Sequence, residues 1–308
     1  MVKIAIVGIG AMGSLFAYCF CRSGYSPWLL DTCQESVDTI KKDGLKVEGV
    51  TGTHHISFNK ITTKPEEIGI VDLIIIFVKA YDSEKAMRGA VSLMGDRTVV
   101  LTLQNGLNNL EKIAGIVGKN RTIGGITAHG ATRFSHGHIR HAGIGETIIG
   151  SLKGEEIKEL GKIKNVLDSS GIQTSITDDV EGIIWSKLIV NAAINPLTAL
   201  TQLKNGEIIE HSELLDVQLR VVEEACAVAR AKGVTIHYLN PLEKVKDVCK
   251  TTASNKSSML QDILSGKKTE IDYINGAIVS EGGKHNISTP YNDILTRLVK
   301  ALGVQRTR

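Results

Sequence analysis

Lys3-Ile4-Ala5-Ile6-Val7-Gly8-Ile9-Gly10-Ala11-Met12-Gly13 is the stretch from which the rest of the chain is best read. Lys3 to Val7 is short, apolar and rich in β-branched residues, which predicts a buried strand. Three glycines at G-x-G-x-x-G spacing follow at once, and Ser14 to Ser23 continues as a helix. In that context the glycines serve a tight turn, close approach of backbone to a pyrophosphate, and close packing of helix on strand, in that order. The N-terminus of the helix adds unpaired N–H groups and the positive end of its dipole. An isolated glycine pattern is weak evidence, but one set between a strand and a helix is not. Gly8, Ile9, Gly10, Ala11, Met12 and Gly13 are therefore expected to bind a dinucleotide cofactor.

The pattern outward from this point is alternating. Pro27 to Leu30 predicts a second strand, and Val71 to Val78 and Thr98 to Leu103 are apolar runs of strand length. Runs without polar alternation suit a parallel sheet buried on both faces, hence a doubly wound α/β domain of Rossmann type. Thr122 to Gly150 is rich in Gly, His and Thr and predicts strands and hairpins that close the sheet. A helix from about Glu155 to Ser169 and a strand near Gln173 to Ile176 complete the domain. Beyond Asp178-Asp179 the pattern is helical: Val180 to Ala199, Leu214 to Lys232 before Gly233, Thr251 to Leu264 before Gly266, Thr269 to Gly282, and Asn292 to Leu302. The expected organisation is residues 1–178 as the dinucleotide-binding domain and 179–308 as an all-helical, substrate-binding domain.

Composition narrows the function. A net charge of +3 with Lys and Arg dispersed, and only 4% aromatic residues, argues against a nucleic-acid surface. No run of about 18 apolar residues stands out as a membrane span, and the apolar start is too short for a signal peptide. Five cysteines (Cys19, Cys21, Cys33, Cys226, Cys249) without a C-x-x-C read as reduced, buried thiols of a cytoplasmic protein. His129, His136, His138 and His141 lack acidic or cysteine partners at ligand spacing, so no metal site is expected.

Several polar residues stand where chemistry would need them. Asp31 ends the second strand, where a carboxylate accepts from a ribose 2′-OH and repels a 2′-phosphate, and no Lys or Arg follows until Lys41. Its chemistry favours NADH over NADPH; the competing reading is a surface aspartate. Lys79 and Asn105 follow the two apolar strands, at the carboxyl edge where such sheets bind ligands. Each reads equally as a ligand contact or as part of a loop, Asn105-Gly106 being a common turn pair. Lys187, Asn191 and Asn195 recur at i, i+4, i+8 and share one face of an otherwise apolar helix. Buried, they need partners, and a lysine so placed can fall toward a neutral pKa and serve as a proton donor; on a solvated stripe they need none. Asn255 and Ser258 fall on one face of a later helix. Glu270, in the first turn of the next, either caps that helix or works on a substrate with Lys187.

Taken together these segments resemble the ketopantoate reductase family. The likeness spans most of the chain. It rests on the glycine loop, the Lys79 strand end, Asn105-Gly106, W-x-K-L-x-x-N-x-x-x-N-P-L-T-A at Trp185 to Ala199, N-x-S-S-M-L-Q-D-I at Asn255 to Ile263, and E-I-D-Y-I-N-G at Glu270 to Gly276. The resemblance implies a reductase of pantothenate and coenzyme A biosynthesis. It would turn ketopantoate (2-dehydropantoate) into pantoate with NAD(P)H, the family's usual cofactor being NADPH. It implies Lys187 as general acid and Glu270 as its catalytic partner. Substrate would be bound by Asn191, Asn195, Ser258 and nearby Asn255, with Asn105 between substrate and cofactor and Lys79 on the cofactor side. The helical domain is expected to be similar to those of 6-phosphogluconate dehydrogenase-like enzymes. The partner is a small molecule, with a homodimer left open. The alternatives are a reductase of another branched 2-keto acid and a nicotinamide-sensing regulator without turnover. Asp31 departs from the basic residue that NADPH-using members carry there, setting local chemistry against family habit.

Overall fold

The computed structural model describes residues 2–305. The chain divides into two compact units: residues to Gln104 with Asn108–Val180, and Asn105–Leu107 with residues from Glu181 onward. The short segment Asn105–Leu107 thus counts with the helical unit although its neighbours in sequence count with the first.

The first unit is built on an eight-stranded sheet. Its strand order is Thr174–Ile176, Thr147–Ser151, Thr122–Thr127, Met94–Thr102, Val71–Ile76, Ile4–Val7, Trp28–Leu30, Ile61–Thr62. All neighbouring pairs are parallel except Thr147–Ser151 against Thr122–Thr127. The chain runs outward from Ile4–Val7 on one side and then returns to pair Val71–Ile76 on the other. That reversal is the switch point at which doubly wound sheets open a crevice, and the glycine loop lies there. Val71–Ile76 is buried along nearly its whole length because helices cover both faces, which is why it shows no alternation.

The Gly- and His-rich region divides: Thr122–Thr127 and Thr147–Ser151 join the main sheet as expected, antiparallel to each other, and the segment between them does not. Gly130–Ser135 and His138–Gly143 do form an antiparallel hairpin, but it does not close the main sheet. It joins Leu45–Gly49 and His54–Ile56 in a separate four-stranded sheet. The helix Ala11–Arg22 packs on this second sheet. Tyr18 and Phe20 are buried on that helix, and Leu45, Val47 and Ile139 belong to the same core. Among the cysteines, Cys33 is exposed, against the expectation of buried thiols, because it precedes a surface helix, Gln34–Asp43. Burial pushes the Cys19 and Cys21 thiols up to about 11.

The second unit is helical. Val180–Thr201 runs through its centre, with Trp185, Leu188, Ile189 and Ala192 buried. This helix is long and apolar enough by composition to cross a membrane, against the expectation of no such stretch; 72% of its most apolar window is buried in the protein, as in a core helix. Ser212–Lys232, Asn275–Lys284 and Pro290–Gln305 pack together beside it. Two expected helices are broken. Thr251 to Leu264 is the end of one helix, Pro241–Thr251, then a turn, then Ser258–Leu264, whose start is fixed by Ser257 Oγ accepting from Leu260 N–H at 3.1 Å. Thr269 to Gly282 is a single 3-10 turn, Ile271–Tyr273, followed by Asn275–Lys284; Ile274, at φ −105° and ψ −93°, separates them.

Candidate active site

The glycine loop is shaped by contacts within the unit. Gly8 has φ +95°, and a Cβ there would strike Val78 N at 2.7 Å. A Cβ on Gly13 would strike the Gly8 carbonyl oxygen. Gly10 differs: a Cβ there would point into open space. Nothing in the protein itself demands glycine at Gly10, whereas close approach of a pyrophosphate does. Gly10 is also the N-cap of Ala11–Arg22 without a side-chain cap, and the first turn of that helix carries no acidic residue, which leaves its N-terminal N–H groups to a phosphate.

Asp31 is not an idle surface residue. Its Oδ2 accepts from Ile9 N–H at 2.7 Å and its Oδ1 from Cys33 N–H at 3.0 Å. Both carboxylate oxygens are thereby oriented beside the loop, and each retains a lone pair for a hydroxyl donor. The chain offers no cation between Asp31 and Lys41 to neutralise it. The loop, the open face at Gly10 and this carboxylate fit an adenine dinucleotide.

Lys79 caps a short 3-10 turn, Ala80–Asp82, after the strand Val71–Ile76. A partly buried polar network holds that exit in place. Gln104 donates through Nε2 to Val78 O at 2.6 Å and to Ser83 Oγ at 2.8 Å, while its Oε1 accepts from Thr102 Oγ1 at 2.9 Å. Ser83 Oγ donates onward to Asn109 Oδ1 at 2.8 Å. Neither Gln104 nor Ser83 is singled out as a site residue by the sequence; Gln104 follows an apolar strand, and Ser83 opens the helix Ser83–Gly89 beyond another.

Asn105-Gly106 forms no hairpin turn. Gly106 has φ +86°, and a Cβ on it would meet Tyr273 O at 2.5 Å; Leu107 N–H donates to that same carbonyl at 2.9 Å. The segment carrying Asn105 is thus fastened to the turn that follows Glu270.

Lys187, Asn191 and Asn195 lie on one unbroken helix, Val180–Thr201. Lys187 and Asn191 are half-buried and Asn195 is buried, so the face is no solvated stripe. Burial pushes the Lys187 amine down to about 8, and the negative charge of Glu270 works against that fall. Glu270 is itself buried, and its side chain makes no cap to the 3-10 turn it precedes. The capping reading of Glu270 therefore gives way to pairing with Lys187. Asn255 and Ser258 do not share a helical face: Asn255 lies in the turn, its carbonyl accepting from Asn205 N–H at 3.0 Å, and Ser258 is the first, exposed residue of the helix. Ser257, their neighbour, is buried and shares a hydrogen bond of 2.6 Å with Thr198 Oγ1 on the Lys187 helix.

A dinucleotide fold joined to a half-buried lysine whose pKa is lowered to about 8 defines a class, the nicotinamide-dependent oxidoreductases. The family follows from comparison: residues 4–154 match the model "Ketopantoate reductase PanE/ApbA" and residues 179–303 its C-terminal counterpart. The chain belongs to the ketopantoate reductase family. It is 37% identical over 299 residues to 2-dehydropantoate 2-reductase of Pyrococcus horikoshii, covering 97% of each chain. It is 35% identical over 300 residues to that of Archaeoglobus fulgidus, again covering 97% of each. Among solved structures it is similar to D-mandelate dehydrogenase with NADH and anilino(oxo)acetate, at TM-score 0.92, 30% identity and coverage of 99% and 100%. It is also similar to 2-dehydropantoate 2-reductase from Geobacter metallireducens, at TM-score 0.91, 28% identity and coverage of 97% and 99%.

Proposed function

We propose that this chain is a cytoplasmic enzyme that reduces 2-dehydropantoate to pantoate with NADH, in pantothenate and coenzyme A biosynthesis. The observation that carries the reading is the half-buried Lys187 under the charge of buried Glu270, in a chain aligned almost end to end with 2-dehydropantoate 2-reductases. The glycine loop Gly8 to Gly13, Asp31 and Lys79 hold the cofactor, and Asn105 bonds cofactor and substrate. When bound, the cofactor supplies hydride. Lys187, protonated below about pH 8, donates its proton to the ketone oxygen, so that no alkoxide charge accumulates. Glu270 keeps that proton on the amine and orients the substrate hydroxyl. Asn191, Asn195, Asn255 and Ser258 bind substrate, the amides without the desolvation cost of a charge. The functional division falls near residue 178, with 1–178 serving the cofactor and 179–308 the substrate.

NADH is favoured because Asp31 is already oriented to accept from a 2′-hydroxyl and would meet a 2′-phosphate with like charge. The decisive assay is loss of NADH and NADPH absorbance, in parallel, on adding ketopantoate to the purified protein. Faster turnover with NADH is expected. Turnover of an aryl or another branched 2-oxo acid, with ketopantoate ignored, would move the substrate toward that of the D-mandelate dehydrogenase neighbour. Cofactor binding without any turnover would make the chain a sensor. Asp31→Arg is expected to raise the ratio of kcat/KM with NADPH to that with NADH by at least about tenfold, one such factor being about 1.4 kcal/mol; an unmoved ratio would remove Asp31 from cofactor choice.

A further inference from the structure

The Lys187 helix contains a proline, Pro196, five residues before its end at Thr201. Proline has no N–H, so the carbonyl four residues earlier, that of Ala192, loses its helical donor. Ala192 is fully buried, and water cannot serve instead. The donor comes from another helix: Asn275 Nδ2 reaches Ala192 O at 3.1 Å. The second hydrogen of the same amide goes to Asn292 Oδ1 at 3.0 Å. Asn292 is held in turn by Glu224, whose Oε2 accepts from Asn292 Nδ2 at 2.7 Å and from its backbone N–H at 3.0 Å. Asn275 Oδ1 is buried without a hydrogen-bond partner among the described residues. Both amide hydrogens are used while the amide oxygen is left unpaired, so this side chain serves here as a donor aimed at the Lys187 helix.

Asn275 also opens the helix that follows the Glu270–Tyr273 turn. We propose that Asn275 is a positioning residue: by donating to the carbonyl that Pro196 orphans, it fixes the Glu270 turn against the Lys187 helix and so sets the spacing of the two ionisable groups. Two of the segments that carry the family likeness, the one containing Asn195-Pro196 and the one ending in Asn275-Gly276, are thereby halves of one device. The chain of contacts runs Glu224, Asn292, Asn275, Ala192. The inference rests on the reading of Lys187 and Glu270 as the working pair.

The experiment uses the full chain with Asn275→Leu, Pro196→Ala and the double variant. Pro196→Ala restores a backbone N–H to Ala192 O, so the double variant keeps that carbonyl satisfied without Asn275 and is expected to fold even where Asn275→Leu alone does not. If Asn275 only fills a hydrogen bond, the double variant recovers wild-type kcat and pH profile along with its melting temperature. If Asn275 positions the pair, the double variant recovers stability but keeps a kcat lowered by about tenfold to 10²-fold, the scale of a misplaced catalytic group. KM for ketopantoate is expected to change less than kcat. The alkaline limb of kcat/KM is expected to lie at lower pH, because Glu270's charge acts on Lys187 from farther away. Titration of ¹³C-labelled lysine by NMR reads the same displacement without turnover. A displaced Lys187 titration in a chain that ignores ketopantoate would support the positioning role and sink the substrate. Wild-type kcat and an undisplaced titration in the double variant would overturn the positioning role itself.

Discussion

Two sets of ionisable groups drawn back from solvent, one in each unit, show how a neighbour's charge decides what desolvation does. In the helical unit, desolvation lowers Lys187, and Glu270 opposes the fall, leaving the amine at about 8. In the dinucleotide unit, His129 and His141 meet through Nδ1 and Nε2 at 3.2 Å. His141 is in turn bonded through Nδ1 to Thr51 Oγ1 at 3.3 Å. Burial lowers both imidazoles, and a charge on His141 would lower His129 further, to about 4. Among the described residues no opposite charge acts on the histidine pair, and both rings are neutral at physiological pH. The lysine has one, and sits where a proton can be gained and lost within a reaction cycle. The lysine's arrangement suits chemistry; the histidines' is a polar link between the carboxyl end of Thr122–Thr127 and the hairpin of the second sheet.

The largest expected effect breaks the comparison on the lysine side. Lys187→Ala should cost on the order of 10²–10⁴ in kcat, the usual contribution of a positioned acid. Cofactor affinity, to which Lys187 is not assigned, should be nearly unchanged. Stopped-flow reduction with fluorescence titration of NADH separates the two, and a variant that turns over at the wild-type rate would strip Lys187 of its role.

The next effect lies on the histidine side and is one of stability. His129 has its folded pKa lowered to about 4, so as pH falls the unfolded chain, with an ordinary value near 6.5, takes up the proton first. The neutral ring's contribution is complete above about pH 6.5 and is lost as pH drops toward 4. Between pH 7 and 5 the loss from this one ring is about 2 kcal/mol. Urea unfolding at the two pH values should show that difference in the wild type and a smaller one in His129→Gln. Equal losses in the two proteins would mean that the ring does not stay neutral in the folded state.

These contrasts are only partly legible in the sequence. The sheet and the loop are readable because buried parallel strands and G-x-G-x-x-G spacing are local signals, and Lys187, Asn191 and Asn195 are readable because i, i+4, i+8 on an apolar helix is periodic. Breaks in helices are harder. Ser257 ends the turn before Ser258–Leu264 by capping, but Ser257-Ser258 gives two candidates for one cap, and periodicity alone carries a helix through Asn255 instead. The hairpin's allegiance to a second sheet depends on pairing His138–Gly143 with Leu45–Gly49, far apart in the chain, which no local pattern encodes. Asn275 has a subtler signal: a proline inside a buried helix leaves one carbonyl to be satisfied, and a buried asparagine elsewhere is an obvious donor, but only the fold says which one.

The smallest expected effect sharpens the comparison most, because it turns the lysine site toward the histidine case. Glu270→Gln keeps the size and hydrogen-bonding capacity of the side chain and removes its charge. Desolvation of Lys187 then acts unopposed, and its pKa must move further down. Since reduction needs the protonated amine, kcat/KM is level at low pH and declines as pH rises through the lysine's pKa; in the glutamine variant that decline should begin at lower pH. The position of the limb is the relevant reading, since the height of the profile also records any loss of substrate orientation by Glu270. At a pH between the two limbs, the variant's Lys187 is mostly neutral and the wild type's mostly charged, so the difference between them is a direct measure of what one buried carboxylate does for its neighbour. A limb that stays at the wild-type pH would mean that Glu270 does not hold the lysine's proton. The contrast with the histidine pair would then rest on burial alone.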